Sequence, residues 1–174
     1  MGLGLVAWVG LAAVAGLAGC GYQFVRYGRS LRDVKTLAIR TPRNDSYEPG
    51  IEYVVAEALR EEAIRRGALR LLESPGAADV RLGGSVLPIE TVRAAVSSVV
   101  MALEYEVTLK LDLDVTRRDG TRVPLDARLL FESERYLASA DVEATRKNRT
   151  EALRRLAHVL AGRVMDVLLE SLAR

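Results

Sequence analysis

From Leu103 to Thr116 apolar and polar residues alternate without a break. Leu103, Tyr105, Val107, Leu109, Leu111, Leu113 and Val115 are separated by Glu104, Glu106, Thr108, Lys110, Asp112 and Asp114. Successive side chains of a strand point to opposite faces, so this period of two predicts one long strand with an apolar face and a polar face. An apolar sheet face must be covered, which requires partner elements that carry an apolar stripe of their own.

Two segments supply that stripe. Ile51, Val54, Val55, Ala58 and Leu59 recur at helical spacing and Gly67 follows as a stop, so a helix is predicted from about Ile51 to Arg66. Val142–Leu172 is a longer helix whose stripe is Ala152, Leu153, Leu156, Ala157, Leu160, Val164, Val167 and Leu168. Shorter apolar runs predict strands at Val34–Ile39, Ala68–Glu73 and Asp79–Ile89, with Gly83-Gly84 marking a bulge or a close backbone approach. Asp119-Gly120 centres a hairpin turn. The returning strand is expected to place Val123, Leu125, Ala127, Leu129 and Phe131 on one face, although Pro124 argues for an edge or a strand start. Thr91–Val100 is expected as a loop. The fold class that buries these faces together is α+β: a two-layer sandwich with both helices on one face of a mostly antiparallel, mixed β-sheet.

The N-terminus follows different rules. Leu3–Leu17 contains only Gly, Ala, Val, Leu and Trp, and the run closes on Leu17-Ala18-Gly19-Cys20. An apolar stretch followed by small residues is a secretory signal, here without a Lys or Arg before it. Leu-Ala-Gly-Cys is also a bacterial lipobox, in which the thiol takes a diacylglycerol and the freed amine is acylated. The expected organisation is a signal peptide over 1–19, an acylated tether over 20–33 and a single α/β sandwich domain over 34–174. Two or more acyl chains anchor a protein stably. Gly21 stands where an Asp would signal retention in the inner membrane, so the expected location is the outer membrane, lipid-anchored and facing the periplasm.

Composition narrows the chemistry. Cys20 is the only cysteine, which excludes disulfides within the chain, thiol catalysis and cysteine-based zinc sites. The net charge of +2 implies no nucleic-acid face. His158, the only histidine, has no partner at triad or ligand spacing and reads as a surface residue. Gly83-Gly84 lacks the Gly-Lys of a phosphate loop. Glu104, Glu106, Asp112 and Asp114 read as the solvated face of a strand rather than a catalytic or calcium site. No enzyme activity and no cofactor are expected.

Several stretches together resemble one family. Cys20-Gly21-Tyr22-Gln23-Phe24 is similar to the mature start of the LPS-assembly lipoprotein family LptE. Leu37-Ala38-Ile39, Asn44-Asp45-Ser46, Glu48-Pro49-Gly50-Ile51-Glu52 and Ala78-Asp79-Val80-Arg81-Leu82-Gly83-Gly84 resemble its first strand, loop, helix start and next strand, in that order. The resemblance implies a protein that plugs and partners an LptD-like outer-membrane β-barrel in lipopolysaccharide transport. Arg65 and Arg66 near the end of the first helix, and Arg117, Arg118 and Arg122 at the hairpin, are then candidates to meet lipopolysaccharide phosphates, because guanidinium suits phosphate. The alternative is a lipoprotein that activates a peptidoglycan synthase or forms part of a secretion pore, since such domains share a similar Ala-Asp-x-x-Leu-x-Gly strand. Cys20→Ala is predicted to move the protein out of the membrane fraction; persistence there on fractionation would contradict the lipobox.

Overall fold

The computed structural model describes Leu31, residues 34–96 and residues 103–173. Cys20, the signal peptide and the tether therefore lie outside the described residues. Among the described residues eight strands form one mixed sheet: β1 (Thr36–Ile39), β2 (Arg43–Asn44), β3 (Arg70–Leu71), β4 (Val80–Val86), β5 (Glu90–Val96), β6 (Leu103–Arg117), β7 (Arg122–Val123) and β8 (Phe131–Ala138). Two helices, α1 (Ile51–Arg66) and α2 (Val142–Ala173), complete the layer architecture.

The alternating segment is the strand the sequence predicts, and it is paired on both edges. One edge meets β4 from Val86↔Leu111 to Val80↔Arg117 and then β5 from Glu90↔Thr108 to Val96↔Leu103. The other meets β7 at Val115↔Val123 and β8 from Leu103↔Ala138 to Lys110↔Phe131. All these pairings are antiparallel, while β1 joins β3 and β4 in parallel, as does β2 with β4. Val107, Leu109, Leu111, Leu113 and Val115 are buried, whereas Asp112 and Asp114 are exposed. The apolar face packs under the helices: Ile51, Val55 and Leu59 of α1 and Leu153, Leu156, Leu160, Val164 and Leu168 of α2 join β6 in one core. The predicted two-layer sandwich is the observed fold.

Polar contacts hold α2 in place along one stripe. Asn148 donates to the Leu137 carbonyl (2.8 Å), Arg155 to Glu134 (2.5 Å), and Arg163 to the Phe131 carbonyl (3.0 Å) and to Glu132. The intervals of seven and eight residues are two helical turns, so all three side chains face β8. Asp141 caps the helix by accepting from the Glu143 and Ala144 N–H groups (2.9 and 3.2 Å).

Three expectations need correction. The return from the hairpin is not one strand: β7 stops at Val123, a 3₁₀ turn covers Ala127–Leu129, and β8 begins at Phe131. Pro124 cannot donate to a ladder, and the Asp126 carboxylate accepts the Arg128 N–H (3.0 Å) to nucleate the turn. Val123 is consequently buried while Phe131 is 47% exposed. Second, part of the expected loop Thr91–Val100 is strand β5; a register shift between Arg93 and Ala95 breaks its alternation and hides it from a period-two reading. Third, the strand expected over Ala68–Glu73 is reduced to Arg70–Leu71. In addition, β1 starts at Thr36 rather than Val34, and β4 ends at Val86 rather than Ile89.

Gly84 has φ +137, and a Cβ there would lie 2.0 Å from the Asp112 carbonyl oxygen. Here β4 crosses β6 too closely for any side chain. Gly84→Ala is predicted to destabilise the domain by about 3 kcal/mol through overpacking and backbone strain, measured by urea unfolding. Gly76, with open space around it, should tolerate alanine.

Candidate functional site

The residues that resemble family motifs have identifiable structural work. Asp79 begins β4, and its carboxylate accepts the Lys35 and Thr36 N–H groups (3.0 Å each) and the Thr36 hydroxyl (2.7 Å). The Thr36 hydroxyl oxygen accepts the Asp79 N–H in return (2.8 Å). Arg118 reaches the other carboxylate oxygen at 3.1 Å. Bonding from the Thr36 hydroxyl first, then from the Lys35 amide, holds the Asp79 carboxyl below its ordinary range. One side chain thus ties the start of β1 to the start of β4 and to the end of β6.

The Asn44 loop is a second knot. Asn44 donates to the Glu48 carbonyl (2.9 Å) and to Glu52 (2.8 Å), and its side-chain oxygen accepts both the N–H (2.9 Å) and hydroxyl (2.7 Å) of Ser46. Glu48 pairs with Arg149 of α2, and Gly50 at φ 81 turns the chain into α1. This end of the molecule also holds Tyr136, stacked on Tyr105 with ring centroids 5.8 Å apart.

The five candidate arginines come from two stretches and reach the same end of the fold, where α1 finishes and the β6–β7 hairpin turns. Their environments differ. Arg66 pairs with Asp166 and with Glu62 (2.6 Å) and donates to the Gly162 carbonyl (2.9 Å), so it sews α1 to α2. Arg65 pairs with Glu62 but is 69% exposed. Arg118 is held by Asp79 and by the Ala77 carbonyl (2.5 Å). Arg117 is half-buried and Arg122 is exposed. Arg70 and Lys35 lie at the same end, because the Arg70 N–H donates to the Lys35 carbonyl (2.9 Å). Lys35 escaped the sequence reading, since only the parallel register brings it beside Arg70.

The uncovered sheet face has a different character. Gly83 leaves a shallow trough of about 650 Å³ between Arg40, Arg43, Arg122, Asp112 and Asp114. Arg43 is bound to Asp45 at 2.7 Å, and both signs of charge line the trough. Glu106 lies 3.5 Å from Arg135 on the same face. His158 sits 3.7 Å from Glu61, both about half-exposed, as a pair between the two helices. Among the described residues no three His, Cys, Asp or Glu side chains are grouped to hold a metal, and no helix is long and apolar enough to cross a membrane.

Asp79→Asn is predicted to destabilise the domain by about 1–3 kcal/mol, the cost of weakening part-buried hydrogen bonds to a charged acceptor. Because the folded-state pKa is depressed, the stabilisation is fully present above the unfolded-state value and is lost as pH falls through the folded one. Urea midpoints of the native protein should therefore drop below about pH 4, with a shallower drop in the Asn variant.

Comparison with known proteins places this geometry. The sequence model of LptE, described as lipopolysaccharide-assembly, matches residues 34–168. A search of curated proteins gives no match. Among solved structures, a Caulobacter crescentus protein described as a lipoprotein is 17% identical with a TM-score of 0.52, covering 84% of this chain and 96% of that one. The rare lipoprotein B from Shewanella oneidensis is 14% identical with a TM-score of 0.47 (75% and 95% covered). A minor lipoprotein from Acinetobacter baumannii is 14% identical with a TM-score of 0.45 (79% and 94% covered).

Proposed function

The chain belongs to the LptE family of lipopolysaccharide assembly, and on that premise we propose that it is an outer-membrane lipoprotein that partners and plugs an LptD-like β-barrel. The observation that carries this reading is the extent of the family match, which runs from the start of β1 into the last turns of α2. It covers the Asp79 and Asn44 knots, whose residues the sequence resemblance singles out. A wide barrel leaves an aqueous lumen, and a small two-layer domain stiffened at both ends of its sheet suits the task of filling one.

The anchor in this proposal is Cys20, acylated after removal of residues 1–19. The role is positioning and occlusion rather than catalysis: among the described residues Glu106 of the sheet face pairs with Arg135, and His158 pairs with Glu61. Lipopolysaccharide passes through the barrel, and the plug shapes its path.

Isolation of the acylated protein from outer membranes in mild detergent should recover a large β-barrel at near-equal amounts. Depletion should lower lipopolysaccharide at the cell surface. Recovery without a barrel, or a cell-wall defect with normal surface lipopolysaccharide, would overturn the proposal in favour of a role in peptidoglycan synthesis.

A further inference from the structure

One end of the sheet gathers cations from separate parts of the sequence, and backbone bonds fix their order. The Arg70 N–H donates to the Lys35 carbonyl (2.9 Å), the Lys35 N–H to Asp79 (3.0 Å), and the Arg118 N–H to the Asp79 carbonyl (2.8 Å). The Arg117 N–H donates to the Thr121 carbonyl (2.8 Å), and Arg122 pairs opposite Thr116. The row across β3, β1, β4, β6 and β7 therefore carries five cations: Lys35, Arg70, Arg117, Arg118 and Arg122. Two carboxylates interrupt it. Asp79 is already engaged as described, and Asp119, in the hairpin turn, accepts the Thr121 N–H (2.8 Å). Lys35, Arg70 and Arg122 are exposed and form no ion pair among the described residues. The neighbouring Arg65 and Arg66 are balanced by Glu62 and Asp166.

The chain enters the fold at this same end. Leu31 is 3% exposed, the Val34 N–H donates to its carbonyl (3.1 Å), and β1 starts at Thr36. Residues 21–30 lead from Cys20 to Leu31 and contain Arg26, Arg29, Tyr22, Phe24 and Tyr27 with no acidic residue. Ten residues reach at most about 35 Å when fully extended. The opposite end of the 15-residue β6 is about 50 Å further along the strand. A tether of this length therefore favours the basic end as the part of the domain nearest an anchored leaflet.

We propose that this basic end docks on the anionic lipid headgroups of the leaflet that holds the anchor, with β6 directed away from those headgroups. Cations at an anionic surface are attracted within a screening length, and the attraction weakens with salt. The trough on the open sheet face, which Arg122 also borders, is less suited, because Asp112 and Asp114 line it as well. Which leaflet is met rests on the lipoprotein reading, whereas the docking itself can be measured without an acyl group.

The test uses the mature chain from residue 20 bearing Cys20→Ser, titrated with phosphatidylethanolamine–phosphatidylglycerol vesicles and with phosphatidylcholine vesicles. Binding is expected only to the anionic vesicles, with release at high salt. Lys35→Gln/Arg70→Gln/Arg122→Gln should weaken it on the order of a hundredfold. Arg146→Gln/Lys147→Gln, at the opposite end, should leave it unchanged, and circular dichroism checks that each variant is folded. Equal binding to neutral vesicles, no binding, an unaffected triple variant, or binding to lipopolysaccharide alone would each overturn the proposal. Failure of the lipoprotein reading shows elsewhere, as a natural protein whose mass lacks acyl chains.

Discussion

Strand β6 is the constraint on which the other elements depend. Its 15 residues pair along both edges, and its buried face supplies the floor on which both helices rest. β4 and β5 form one interrupted neighbour and β7 and β8 the other, so four strands take their register from this one. Without the uninterrupted alternation, neither α1 nor α2 would have a flat apolar surface to cover. A one-residue slip would exchange Leu109 and Leu111 for Lys110 and Asp112, which is why the register is tightly specified.

The parallel half of the sheet depends on a different device. β1, β2 and β3 are short, and parallel neighbours have no tight turn to set their register. Asp79 performs that task by gripping the Lys35 and Thr36 amides and the Thr36 hydroxyl, while Arg118 closes the arrangement from the hairpin. In this chain the Asp79 motif residues thus act in folding. Their chemistry is that of a staple between strands.

Legibility in the sequence follows the same division. β6, α1 and α2 are visible because each keeps a regular period over many residues, and the sandwich follows from matching their apolar faces. β5 is hidden because the shift between Arg93 and Ala95 breaks its alternation. The hairpin return is misread because Pro124 and the Asp126 turn interrupt what looks like a continuous apolar pattern. Arg65, Arg66, Arg117, Arg118 and Arg122 are visible as basic residues, but not that Arg66 and Arg118 are engaged within the fold. Nor does the sequence reveal that Lys35 stands beside Arg70. That placement comes from tertiary register alone.

The account rests on β6 as the spine of a single cooperative body. Native-state hydrogen exchange of the full chain tests this most directly. The amides of Val107, Leu109, Leu111, Leu113 and Val115 should exchange only through global unfolding, with free energies equal to that from urea denaturation. Exchange of these amides through smaller openings while α1 and α2 stay protected would show that the helices do not depend on the strand, and would contradict the account.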